Sequence, residues 1–126
     1  MKLRIKGNSL RLRLARSEVT RLLETRRVEE TIRFAEDEEA TLTYAIECST
    51  NQHGVAMRYR PREVAVLLPI EAATSWANGE PVGIYADLDV GGSKLEVAVE
   101  KDFSCLHGDE RENLDTFPNP HHGSAC

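Results

Sequence analysis

No apolar run in this 126-residue chain approaches the roughly 20 residues that a membrane-spanning helix requires. The N-terminus also lacks the continuous apolar core of a signal peptide, because Lys2, Arg4 and Lys6 interrupt Leu3 and Ile5, an alternation that belongs to a strand. Cysteine is scarce and odd in number, at three. That excludes a fully paired disulfide framework and suits a reducing, cytoplasmic setting. Catalytic signatures are missing as well. Gly91-Gly92 reads as a hairpin turn, with no following helix whose N-terminus would hold phosphate. Cys105 and His107 stand two apart without a marker for an orienting carboxylate or an oxyanion hole. The expectation is a non-enzymatic, single-domain protein, long enough to bury a core without staples.

Charge is unevenly spread along the chain. Lys2, Arg4, Lys6, Arg11, Arg13 and Arg16 fall in residues 1–16 without one acid, which leaves −11 on the remainder of a chain whose net charge is −5. An acidic protein of this kind still presents a basic face at contact, although its total charge weakens attraction from a distance.

The main order in the sequence is a repeat. The stretch from Leu10 to Val28 recurs without a gap as Val64 to Val82, an offset of 54 that sets Leu12 on Val66, Leu14 on Leu68, Leu22 on Trp76 and Val28 on Val82. Flanking alternations extend it: Leu3 and Ile5 precede one copy, Val55 and Met57 the other, and Leu42–Ile46 matches Leu95–Val99 at an offset of 53. Each copy reads as ββαββ. Ser17 is the expected cap of the first helix, with Glu18 in its first turn and an end near Thr25. Pro69 suits the start of the second helix, and Asn78-Gly79 its end through a left-handed glycine. Glu30 falls awkwardly on the inward parity of its strand, Glu36–Glu39 forms an acidic turn, and Cys48–Gly54 links the copies. A single copy has too little core to stand alone. The expected fold is therefore mainly β (α+β), with two ββαββ units, 1–48 and 54–100, forming one pseudo-twofold β-barrel with two short helices within residues 1–104. Closure of the barrel removes exposed edges. Residues 105–126 form an acidic tail that docks Phe103 and Phe117 as packing anchors and leaves Asp109, Glu110, Glu112 and Asp115 in water. Trp76 is core.

The run KGNSLRLRLARSEVTRLLETRRVEETIRF, with the charged turn and strand that follow, resembles the swapped-hairpin domain of AbrB-type and MazE-type transcription factors. In that family two interlaced chains bind DNA through their first hairpins, and the resemblance implies that one chain supplies both halves here. It also implies that the acidic tail engages a protein partner, as antitoxin tails do. Tyr59-Arg60-Pro61 stands where the first copy has Gly7-Asn8-Ser9. A second resemblance spans nearly the whole chain: MKLRIKGNSLRLRL with EKDFSCL and FPNP is similar to a family of short, functionally uncharacterised bacterial proteins, which implies no activity.

Two candidate sites follow. Lys2, Arg4, Lys6, Arg11 and Arg13 from one hairpin and Arg58, Arg60 and Arg62 from the other would straddle a DNA duplex, with Asn8 and Tyr59 at the turn tips near the bases. The competing reading is that these cations solvate exposed strands and pair with the many acids. In the tail, Cys105, His107, His121, His122 and Cys126 supply enough thiolates and imidazoles for zinc or copper, yet their spacing matches no standard finger. The default for that segment is a solvated tail with no cofactor.

Overall fold

A computed structural model describes residues 1–103 and 115–117. Within them, eight strands and two helices follow in the order β1 (Lys2–Lys6), β2 (Ser9–Leu14), α1 (Arg16–Thr25), β3 (Arg27–Arg33), β4 (Thr41–Ser49), β5 (Ala56–Arg60), β6 (Glu63–Pro69), α2 (Ile70–Asn78), β7 (Gly83–Val90) and β8 (Ser93–Lys101). The apolar alternation accounts for the strands. Leu10, Leu12 and Leu14 are buried, and the intervening Arg11 and Arg13 lie on the opposite face. In the helices the stripe Val19 and Leu22, and its counterpart Ala73 and Trp76, is buried.

The strands form two four-stranded sheets, ordered β1-β2-β8-β7 and β3-β4-β6-β5. Each sheet therefore joins a hairpin from one half of the chain to a hairpin from the other. The joints are the parallel pairs β2 with β8 and β4 with β6. Their registers correspond: adding 54 to Leu10 and subtracting 53 from Val97 turns the pair Leu10↔Val97 into the observed pair Tyr44↔Val64. The hairpins β1-β2 and β5-β6 also match, Lys2↔Arg13 becoming Ala56↔Leu67 at an offset of 54.

The closed barrel is not formed. Strands β1 and β7 edge one sheet, and β3 and β5 edge the other. The helices explain the gap, since they pack on each other and each touches strands of both sheets. Sheets held face to face lie about 10 Å apart, roughly twice the spacing that hydrogen bonding between strands needs. Charges guard the open edges instead: Lys2, Arg4 and Lys6 on β1, Arg58 and Arg60 on β5, and Asp87 and Asp89 on β7.

Burial on the inward faces falls from the helix end toward the hairpin turns. Exposure along β2 rises from 0% at Leu14 to 8% at Leu10, and the outlying Ile5 and Tyr59 reach 62% and 78%. The central core consists of Leu12, Leu14, Leu22, Ile46, Val66, Leu68, Trp76 and Val99, drawn from both halves.

Several local expectations are corrected. The pair Val28↔Ile46 corresponds to Ile84↔Val99 and not to Val82, because the connection after α2 is longer than the one after α1 and moves the register on by two residues. Val82 is accordingly exposed at 38%, whereas Val28 is buried. Gly79 ends α2 in extended backbone, φ −107°, and not in the left-handed region. Its lack of a side chain still matters, since a Cβ there would stand 2.7 Å from the Ser75 carbonyl oxygen. Cys48 belongs to β4 and is buried, so the linker begins only after Ser49.

Ser17 does not cap α1; the cap comes from the tail. Asp115 accepts hydrogen bonds from the Ser17 amide, at 3.2 Å, and from the Ser17 hydroxyl, and its carbonyl accepts the Arg16 N–H at 3.1 Å. Asp115 is thus bonded and not left in water alone, because the positive end of a helix with unpaired N–H groups attracts a carboxylate. Phe117 follows it onto the domain. Its N–H bonds the Asp102 carbonyl, its ring meets Phe103 edge-on at 6.1 Å, and the Lys101 ammonium sits over it at 5.5 Å.

Glu30 proves less awkward than its parity suggested. The Met1 ammonium bonds Glu18 at 2.5 Å and Glu30 at 2.8 Å, and the Tyr44 hydroxyl donates to Glu30 at 3.0 Å.

Candidate nucleic-acid interface

Strand register decides which of the candidate cations share a surface. On the outer face of the first sheet, three rows run across the strands: Lys2–Arg13–Glu100–Gly83, Arg4–Arg11–Ala98–Tyr85 and Lys6–Ser9–Glu96–Asp87. All five cations of the first hairpin lie on this face. In two rows cations stand directly opposite each other, Lys2 to Arg13 and Arg4 to Arg11, an arrangement that destabilises an antiparallel pair.

Part of that repulsion is neutralised from the second half of the chain. Glu100, a buried carboxylate, lies 3.1 Å from Arg11 Nε and 3.5 Å from Arg13 Nε, and it accepts the Tyr85 hydroxyl at 2.6 Å. Lys2 Nζ pairs with Asp102 at 3.0 Å. The side chains of Arg4 and Lys6 join no hydrogen bond or ion pair among the described residues. A groove of about 350 Å³ opens beside them, lined chiefly by Arg4, Lys6, Arg11, Tyr85, Asp87 and Glu96. Ala98 makes its floor low. Gly83 admits its wall, because a Cβ there would stand 2.8 Å from Glu100 Cγ and 3.1 Å from the Tyr85 ring.

The second hairpin lies in the other sheet and is differently occupied. Arg58 grips Glu47 at 2.5 Å and Glu63 at 3.0 Å, and Arg27 adds contacts to the same two carboxylates at 3.2 and 3.4 Å. Arg60 opposes Glu63 across the strands. Tyr59 has the inward parity, on the face opposite Arg58 and Arg60. Asn8 is committed too: its side-chain amide donates to the Lys94 carbonyl at 2.6 Å, and its own carbonyl accepts the Glu96 N–H at 3.1 Å. Arg62, and not Arg60 as the alignment of Tyr59-Arg60-Pro61 with Gly7-Asn8-Ser9 implied, is its counterpart at the other tip, with φ 67° and its carbonyl accepting the Thr43 N–H at 2.8 Å. The nine candidates therefore divide between two sheets, with five cations on the outer face of the first, Arg58 and Arg60 on one face of the second, and Asn8 and Arg62 at the turn tips.

Sequence reasoning missed Glu100, Tyr85 and Glu47. Their role depends on pairing between distant strands, which spacing along the chain does not reveal. The tail candidates Cys105, His107, His121, His122 and Cys126 lie outside the described residues. Among the described residues, no group of three or more His, Cys, Asp or Glu is placed to hold a metal ion. Nor does any helix there have the length and apolarity to cross a membrane.

Four groups are held in their protonated forms: Tyr85, Cys48, Tyr44 and the Met1 ammonium. Burial, then the bond to Glu100, pushes the Tyr85 phenol up to about 12, and burial pushes the Cys48 thiol up to about 11. Burial and Glu30 raise Tyr44 above its ordinary 10.0. Burial lowers the Met1 ammonium, but its bonds to Glu18 and Glu30 outweigh that and lift it above 8.0. Stability from each such group is complete below its ordinary value and is lost as pH rises through the raised one. Thermal melting is therefore expected to fall progressively from pH 8.0 toward about 12.

The chain is thus a mainly β protein of two open sheets and two helices that carries a mixed-charge groove on one sheet. It belongs to the Family of unknown function (DUF7009), whose family model matches residues 1–121. Neither a curated protein nor a solved structure matches it.

Proposed function

We propose that this is a non-enzymatic binding protein that takes a polyanion, DNA or another nucleic acid, on the outer face of the first sheet. The observation that carries the reading is the Arg4↔Arg11 pair. Two arginines are directly opposite in register, Arg11 is paired with Glu100 while Arg4 and Lys6 are unpaired among the described residues, and a groove opens beside them. A phosphate there would relieve a repulsion that the fold otherwise carries. The phenol and thiol just described are not poised to exchange protons near neutrality, which supports binding over acid–base chemistry.

The same reading treats the two ββαββ halves as a tandem duplication of an AbrB- or MazE-like swapped-hairpin unit. It is supported by the matching registers and by the exchange of hairpins between halves. The two hairpins have since diverged in charge. Only the first sets cation against cation, so the interface is one face and not a pair of hairpins astride a duplex.

Retention on a polyanion column tests this. With three phosphate contacts, raising salt from roughly 50 to 200 mM is expected to weaken binding by roughly 20–40-fold. Arg4→Glu and Lys6→Glu should shift elution to markedly lower salt, whereas Arg60→Glu should leave it nearly unchanged. Equal sensitivity at both hairpins would contradict the assignment to one face.

A further inference from the structure

The groove is polarised across the sheet in a way that a uniform polyanion site would not be. Arg4, Lys6 and Arg11 line the side formed by β1 and β2, whereas Tyr85, Asp87 and Glu96 line the side formed by β7 and β8. The Tyr85 ring is 59% exposed, yet its hydroxyl is anchored on Glu100 at 2.6 Å. One part of the ring lies over Gly83 and the rest is open to solvent, so it is held as a flat platform. Strands β2 and β7 are separated by β8 alone and β1 lies one strand further out, so the strand of Arg11 stands roughly 10 Å from that of the ring and the strand of Arg4 and Lys6 roughly 14 Å, a gap that their long side chains shorten. That separation suits a phosphate at one end and the base it carries at the other.

Resting on the polyanion reading above, we infer that the groove takes single-stranded nucleic acid, with phosphate over Arg4, Lys6 and Arg11 and an unpaired base stacked on Tyr85. Ala98, between Arg11 and Tyr85 in the same row, leaves room for the sugar. The carboxylates of Asp87 and Glu96 repel phosphate and so fix the strand's orientation. They also accept hydrogen bonds from exocyclic amino groups, which a base exposes on its pairing edge only when it is unpaired. A duplex would place its phosphates on both sides of the groove and meet those two carboxylates. Its bases, already stacked on one another, would make no use of the ring. The groove's volume, about 350 Å³, falls in the range of roughly 300–1,000 Å³ typical of ligand sites.

Fluorescence anisotropy on the full chain separates the possibilities, using a labelled strand of about 12 nucleotides without self-complementarity, its RNA equivalent, and the duplex formed with its complement. The single strand is expected to bind about 10-fold or more tightly than the duplex, and binding by either sugar supports the inference. Tyr85→Leu should weaken single-strand binding by about 10-fold or more. Tyr85→Phe keeps the ring and loses only the hydroxyl, so it should bind nearly as the native chain does. Thermal melts of both variants ensure that a folded protein is compared. Equal binding of single strand and duplex, with Tyr85→Leu without effect, overturns the stacking site while leaving the polyanion reading intact. Failure to bind any of the three at low salt removes both.

Discussion

Replacing Trp76 by alanine is expected to cost about 3–5 kcal/mol, a large share of the roughly 5–15 kcal/mol that holds a domain of this size together. Trp76 is 2% exposed and is among the largest fully enclosed side chains. It lies on α2, which touches β4 and β6 of one sheet and β7 of the other, as well as α1. Its indole N–H also donates to the Val82 carbonyl at 3.1 Å and so holds the connection into β7. Truncation leaves a cavity where the halves meet and a carbonyl without that donor. A fall in melting temperature of roughly 10–20 °C should follow. Trp76→Phe fills more of the space and should lose distinctly less. A melting temperature within a few degrees of the native chain for Trp76→Ala would mean that the helices are accessories and not the wedge between the sheets.

The sequence disclosed the elements more readily than their assembly. Alternation located Leu10, Leu12 and Leu14 on one face, and helical spacing located Leu22 and Trp76, because burial repeats with the period of the local backbone. Gly91 and Gly92, with φ 62° and 87°, formed the hairpin turn expected of them. What alternation does not carry is how far each inward face stays covered. Tyr59 has the parity of a core residue but sits beside the β5-β6 turn, where it is largely exposed. The same blindness led to a closed barrel, since parity says which way a residue points and nothing of whether two edge strands meet.

The site was half legible for a related reason. A cluster of cations such as Lys2, Arg4 and Lys6 is visible in any reading, but the carboxylates that neutralise cations are not. Arg11 and Glu100 are joined only because β2 and β8 pair across the two halves. Glu47 takes the corresponding place in the other sheet, where it meets Arg27 and Arg58. Knowing those two partnerships changes the reading of the surface, because Arg58 is spent on them and Arg4 is not. Asp115 is exposed as expected, but its bond to Ser17 has no mark in the sequence. Such a contact between residues far apart in the chain is set by tertiary folding alone.

The groove itself depends on this exchange of hairpins: Arg4 and Arg11 come from the first half of the chain and Tyr85 and Ala98 from the second. Producing residues 1–50 and 51–126 as separate polypeptides tests that dependence most directly. The first, at 50 residues, is below the roughly 70–80 at which a lone core usually suffices, the second, at 76, does not exceed it, and each lacks the hairpin that completes either sheet. Circular dichroism should show no cooperative melting for either piece alone, and an equimolar mixture should regain a single transition with the mass of a one-to-one complex. A cooperative transition from either piece by itself would contradict the shared interior on which the fold and its groove are built.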